Sequence, residues 1–347
     1  MALLLRLSAL LLFFCILHYF LKPGNQEQME QKGLRDDTGE IIPLKDFNYK
    51  DVSPTKHRPY RNTGYVAMDW LEIDSQYLSR IQHRRFLVTQ MPETTIGDRD
   101  AAKPAIRELF EQVVLDYLPK RYPTIFKLEK STFTNWVTGR SCNVNTAAMD
   151  EAMMLRTLAE NAEEDFFLMV PDANDVYRLQ GYVACFPGGF LCPSKAGWSV
   201  RELHQAVPGY NEKIGNAVDR YFARMKAGVF IRRWNWSLQT DGVELFKTEG
   251  NNFYATPEQK LPAQQDAVDV SATYLRAERQ TLFRLPRSRA IVFCVRSFMT
   301  PLVELVEEGE GPALADAIQT MPDRLGVYKK RPVWEEDVIS FLRSPAA

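Results

Sequence analysis

Two runs of this chain, LRAERQTLFRL (275–285) and RAIVFCVRSF (289–298), are separated by only three residues, Pro-Arg-Ser. Both are rich in aromatic and β-branched residues, which suit a pleated, half-buried strand. A connection that short joins antiparallel neighbours in a hairpin. This pairing constrains the fold more than any other feature, because it commits the C-terminal half to an antiparallel sheet. RLQGYVACF (178–186) and GVFIRRWNWSLQ (228–239) carry the same strand signal, and the first strand of the hairpin extends back to residue 272.

Helical periodicity marks four other stretches: 71–88, with Asp69 as a candidate cap, 102–123, 149–165 and 212–228. The second stops at Pro123 and the fourth is expected to close at Gly228. No strand–helix–strand rhythm runs through the chain. FPGGF (186–190) has two glycines but not the GxGxxG spacing of a dinucleotide loop. The expected architecture is α+β, an antiparallel sheet with helices packed around it.

With 347 residues, of which 45% are hydrophobic and 25% charged, the chain can bury an ample core. A net charge of −1 and the lack of a basic stripe exclude nucleic acid as an expected partner. Cys15, Cys142, Cys185, Cys192 and Cys294 form no CxxC pair and no zinc spacing, so they read as reduced thiols. ALLLRLSALLLFFCILHYFL (2–21) is nearly all apolar and about as long as a bilayer's hydrocarbon core is thick. No small-residue cut site follows it, so the expectation is an uncleaved single-pass transmembrane helix. The polar stretch behind it reads as a linker.

The residues with chemistry are few. In RRWNWSLQTDGVELF (232–246), alternation puts Arg233 and Asn235 on one face and Arg232, Trp234 and Trp236 on the other. The segment is either a strand with a Trp-rich core face or the wall of an anion-holding pocket. The overlapping Asn-Trp-Ser sequon at 235–237 is discounted as a poor acceptor between two tryptophans. In LRAERQTLFRL, Arg276, Glu278 and Gln280 share one face and Ala277, Arg279 and Thr281 the other. Those charges are either internal ion pairs or a cluster that meets a ligand. His57 reads as structural. His204, in SVRELHQAVPGYNEK (199–213), ends a short helical stretch before a Pro-Gly break. It is either a satisfied structural histidine or a metal ligand. One axial imidazole suffices for haem iron, whereas zinc needs three or four clustered ligands.

HRPYRNTGYVAMDWLEID (57–74), EEDFFLM (163–169), HQAVPGYNEKIGNAVDRYFARMKAG (204–228), RRWNWSLQTDGVELF and the hairpin strands together resemble the haem-dependent oxidative N-demethylase alpha-subunit-like family. The resemblance implies a PAS-like haem-binding fold and oxygen-dependent removal of a methyl group from a small amine, with electrons from a separate reductase. It implies haem b, held non-covalently because CxxCH is absent. The axial ligand would be His204, with the Cys192 thiolate as the alternative. Arg233, Trp236 and Arg276 would line the cofactor site, and Glu278 and Arg279 the reacting site, with Glu278 pairing an ammonium substrate. The chain then divides into an anchor (1–22), a polar linker (23–50) and a haem-binding domain (51–347). A membrane anchor departs from what a soluble enzyme subunit carries. The rival readings are a haem sensor or carrier without turnover, and a tethered interaction domain that has lost its cofactor.

Overall fold

A computed structural model describes residues 35–36, 38–61, 70–190, 192–253 and 267–345. The apolar run 2–21 and the candidate cap Asp69 lie outside these residues. Among the described residues no helix is long and apolar enough to cross a membrane.

The chain alternates helix and strand in its first half. Helix α1 spans Tyr77–Gln90, β1 Ile96–Asp98 and α2 Lys103–Phe110. A π-helical stretch (Glu111–Tyr117) and a last turn (Leu118–Arg121) carry α2 on to the break at Pro123. The helix expected from residue 71 begins six residues later, because Asp74 turns its carboxylate onto the Gln76 N–H (2.9 Å) and holds the chain out of helix there. A small antiparallel meander follows, β2 (Phe126–Glu129), β3 (Thr132–Asn135) and β4 (Arg140–Asn143). Helix α3 (Glu151–Ala159) is capped by Asp150, whose side chain accepts from the Met153 N–H. It stops well short of residue 165, where a strand begins.

The main sheet uses β1 with five later strands: β5 (Asp165–Pro171), β6 (Tyr177–Val183), β7 (Ile231–Gln239), β8 (Tyr274–Arg284) and β9 (Ile291–Pro301). The order is β1-β6-β5-β9-β8-β7 and each pairing is antiparallel. The β8–β9 hairpin sits inside the sheet, with Arg284 opposite Ile291. Between β6 and β7 runs a helical connection with a π-turn (Tyr210–Gly215) and α4 (Asn216–Arg224). It leaves helical geometry at Met225, three residues before Gly228. Four short helices close the chain: α5 (Leu302–Glu307), α6 (Gly311–Gln319), α7 (Asp323–Tyr328) and α8 (Arg331–Leu342).

Strand alternation gives the sheet two distinct faces. On the outer face Phe166, Leu168, Phe283, Val292 and Cys294 join α1–α3 in the largest core cluster. Leu238 and Leu275, opposite each other on β7 and β8, pack against α5, α6 and α8. The inner face carries Phe167, Ile231, Leu282 and Phe293, covered by the β6–β7 connection through Cys192, Val200, Tyr210, Ile214 and Phe222. Each such side chain contributes about 1.5–3 kcal/mol on burial.

Charged groups also lie deep in the fold. Arg84, Arg279 and Arg296 are among the largest fully buried side chains. Each meets one carboxylate of the Glu163-Glu164-Asp165 run: Arg84–Asp165 at 2.7 Å, Arg279–Glu164 at 2.7 Å and Arg296–Glu163 at 2.9 Å. Arg84 also donates to the carbonyls of Ala159 and Glu164, and Asp165 accepts from the N–H groups of Cys185 and Phe186, both at 2.8 Å. Buried ions persist only when paired and bonded in this way. The network ties the entry of β5 to the exit of β6, where the inner-face connection starts.

Candidate functional site

The site begins with a local capping motif. Ser199 accepts from the Glu202 N–H and the Glu202 carboxylate accepts from the Ser199 N–H (2.6 Å), a capping box that starts the single turn Val200–Leu203. His204 ends that turn. The Val200 carbonyl accepts from the His204 N–H (3.2 Å) and lies 2.7 Å from its Nδ1. A carbonyl only accepts, so Nδ1 carries the proton and Nε2 keeps its lone pair. The ring stacks on Tyr210 at 4.4 Å between centroids and 10° between planes. Pro208-Gly209 makes this possible, since Gly209 takes φ +74° and folds Tyr210 back over the imidazole.

Burial pushes the His204 pKa down to about 4. The Val200 carbonyl opposes that effect, and Arg233 and Lys195 add to it. The side chain is therefore neutral at pH 7. Nε2 makes no hydrogen bond among the described residues. Histidine ligands are commonly held this way, with one nitrogen tied to a carbonyl and the other open. Cys192 is 2% exposed, and burial drives its thiol well above the ordinary range, so it is no ready thiolate.

Beyond the apolar patch the inner face turns polar. The register sets Arg233 opposite Gln280, which faces Val295 on β9, and Asn235 opposite Glu278, which faces Ser297 on β9. Arg233 donates to Gln280, whose amide donates to Glu278 (2.9 Å), and Asn235 donates to the same carboxylate (3.1 Å). Arg276 Nε lies 3.9 Å from Glu278 without a hydrogen bond, while its other nitrogens donate to Phe186 O, Leu245 O, Gln239 and Ser297. Above them sits the FPGGF turn. A Cβ on Gly188 would meet Glu278 Oε1 at 2.6 Å, so a larger residue there would displace that carboxylate.

Lys329, at the end of α7, reaches the edge of β7, where it meets Asn235 of the inner face and Trp236 of the outer face. It is 8% exposed, donates to Asn235 Oδ1 (3.3 Å) and to the Trp236 carbonyl, and lies 5.4 Å from the Trp236 ring centroid. No carboxylate is within 4.0 Å of its ammonium among the described residues. Burial lowers its pKa to about 8, against the pull of Glu278. Lys330 at φ +58° turns the chain sharply between α7 and α8 and aims Lys329 inward.

The structure thus brings Arg233, Arg276 and Glu278 together on the face that the His204 connection covers. Arg279 and Trp236 point to the opposite face. Arg279 is 2% exposed and held by Glu72 (2.5 Å) and Glu164, an internal ion pair rather than part of this site. Glu278 is not a bare anion awaiting an ammonium group, since Arg276, Asn235 and Gln280 surround it. His57 lies between Trp234 (3.9 Å) and Phe298 (4.4 Å) on the outer face, and burial and four nearby arginines lower its pKa to about 3. Sequence reasoning placed Asn235 and Gln280 on their faces and missed Lys329 and Gly188 as parts of the site. The signals were the glycine pair in FPGGF and the turn-forming YKKRP at 328–332.

An antiparallel α+β fold with one neutral, open imidazole over an apolar face, bordered by buried cations, fits a protein that holds a large flat cofactor bearing acid groups. Residues 62–339 match the haem-dependent oxidative N-demethylase, alpha subunit-like family. The chain belongs to that family, whose general function is haem-dependent oxidative N-demethylation. The donor set fits haem: a neutral nitrogen with a free lone pair, aromatic and aliphatic neighbours for a porphyrin, and cations for its carboxylates.

Proposed function

We propose that the chain is a haem-dependent monooxygenase that demethylates a small methylated amine with O2, drawing electrons from a separate reductase. The cofactor is haem b, bound non-covalently, and His204 Nε2 would hold its iron. Haem supplies the iron centre at which oxygen is activated. The chain's own groups do the rest. Val200 fixes the imidazole tautomer, Tyr210 fixes its plane, and the apolar side chains of the β6–β7 connection exclude water. Arg233 and Arg276 balance acid groups, and Glu278 orders both through Gln280 and Asn235. Arg279 and Trp236 act from the outer face as supports of β7 and β8. The order β6-β5-β9-β8-β7, with its long helical connection between β6 and β7, supports the PAS-like reading of the sheet. Residues 2–21 are proposed as a single-pass membrane anchor ahead of a polar linker and a domain from residue 51. The support is the length and apolarity of the run.

The observation that carries this reading is the His204 side chain, neutral and held by Val200 with Nε2 open. The test is an absorption spectrum of the full chain reconstituted with haem, beside His204→Ala. Loss or displacement of the Soret band is expected. A band unaltered by the substitution refutes the ligand. Formaldehyde release from a methylated amine, given reductant and O2, separates turnover from a haem carrier.

A further inference from the structure

The Lys329 ammonium is buried against neutral acceptors and an aromatic ring, with no carboxylate within 4.0 Å among the described residues. Glu278, the carboxylate that faces it, is already engaged by Asn235 and Gln280 and lies under Gly188. Arg233 faces the same ammonium, so two cations share one occupied anion. A buried charge is costly without a counter-charge, and a carboxylate is the group that an ammonium meets in a charge-assisted hydrogen bond.

We propose that the Lys329 ammonium, held at the edge of β7 beside Asn235, is a recognition site for a ligand carboxylate. The inference rests on the haem-demethylase reading for the two sources of that carboxylate, a haem propionate or the acid group of an N-methylated amino acid. In the first case Lys329 is a cofactor anchor. In the second it sets specificity, and the preferred amine is zwitterionic rather than a simple dialkylamine. Neither case asks Glu278 to bind the ammonium end.

The test uses the full chain as wild type, Lys329→Met and Lys329→Arg, with circular dichroism to verify folding. One arm titrates haem against its dimethyl ester, which lacks the acid groups. The other titrates N-methylglycine against dimethylamine by calorimetry. One charge-assisted contact corresponds to a preference of about tenfold or more. Haem favoured over its ester, with the preference lost in Lys329→Met and kept in Lys329→Arg, supports the proposal with a propionate as the source. N-methylglycine favoured over dimethylamine with the same pattern supports it with the substrate as the source. No preference in either arm, or preferences unaltered in Lys329→Met, overturns it.

The wild-type pH profile is a second reading that needs no Met variant. The charged groups facing Lys329 are Glu278 on β8 and Arg233 on β7, while Arg331 on α8 is engaged by Asp323 and Glu335. Of these, Lys329 is the group that loses its charge as pH is raised to about 10. Carboxylate affinity is expected to fall over that range in the wild type and to stay level in Lys329→Arg; a level wild-type profile overturns the proposal. Failure of wild type to bind haem at all refutes the His204 reading instead, and leaves the N-methylglycine arm to decide this one.

Discussion

Replacing Lys329 by methionine changes the pH dependence of stability in a way the structure sets quantitatively. Burial lowers the ammonium pKa from 10.5 to about 8. At about 1.36 kcal/mol per pH unit, holding this charge in the folded state costs about 3 kcal/mol below pH 8. Between pH 8 and 10.5 the native state binds fewer protons than the unfolded state, so stability rises with pH across that window. Methionine fills a similar volume and carries no charge. It forfeits the bonds to Asn235 and the Trp236 carbonyl, each worth about 1 kcal/mol. The variant is therefore expected to be more stable than wild type by about 1 kcal/mol at pH 7 and less stable by about 2 kcal/mol near pH 10.5. Urea unfolding of both proteins at several pH values gives the difference directly, because all other titrating groups cancel. Two curves that stay parallel refute the buried-cation argument, whatever the absolute stabilities. A functional group that lowers stability is the ordinary trade-off at a binding site.

Gly188→Ala is expected to displace the Glu278 carboxylate at a cost of about 1 kcal/mol or less, and to weaken haem or amine binding in titrations of the folded variant; native-like binding refutes the close approach. Arg84→Met leaves Asp165 buried without its cation and is expected to cost about 3–5 kcal/mol in urea unfolding, while a loss under about 1 kcal/mol refutes the network. His204 stays neutral down to about pH 4, because its native pKa lies below the ordinary 6.5; the stability tied to its neutral form is lost as pH falls through that window. Haem retention at pH 6 with release toward pH 4 is therefore expected from the Soret band, and release near pH 6.5 refutes it.

Much of the sheet could be read from the chain itself. The Pro-Arg-Ser link and its two flanking strands gave the hairpin, and period-two alternation sorted Arg276, Glu278 and Gln280 from Arg279. The strand β5 was harder to see. EEDFFLMVP has no alternation, because it lies in the middle of the sheet with both faces covered. The short strands β1–β4 are three or four residues long, too brief to show a period. The ends of α1 and α3 were misplaced because side-chain bonds from Asp74 and the start of β5 override local propensity. Within the site, the turn that ends at His204 was legible from the short helical stretch and the Pro-Gly break after it. Lys329 was not, since it arrives from a segment 51 residues after Glu278 in sequence, and only the tertiary turn at Lys330 aims it inward.

Among the described residues strand β7 ends the sheet, so Arg233 and Asn235 have one neighbouring strand while Glu278 and Gln280 have two. The site accordingly has a stiff floor and a compliant wall. Bending β7 outward breaks a single ladder and admits a bulkier ligand, whereas shifting β8 would disturb the buried ion pairs that hold the chain together. Lineages of this fold can therefore change what they accept through residues 231–239 at small risk to folding, and amide exchange should find that strand opening before its inner neighbours.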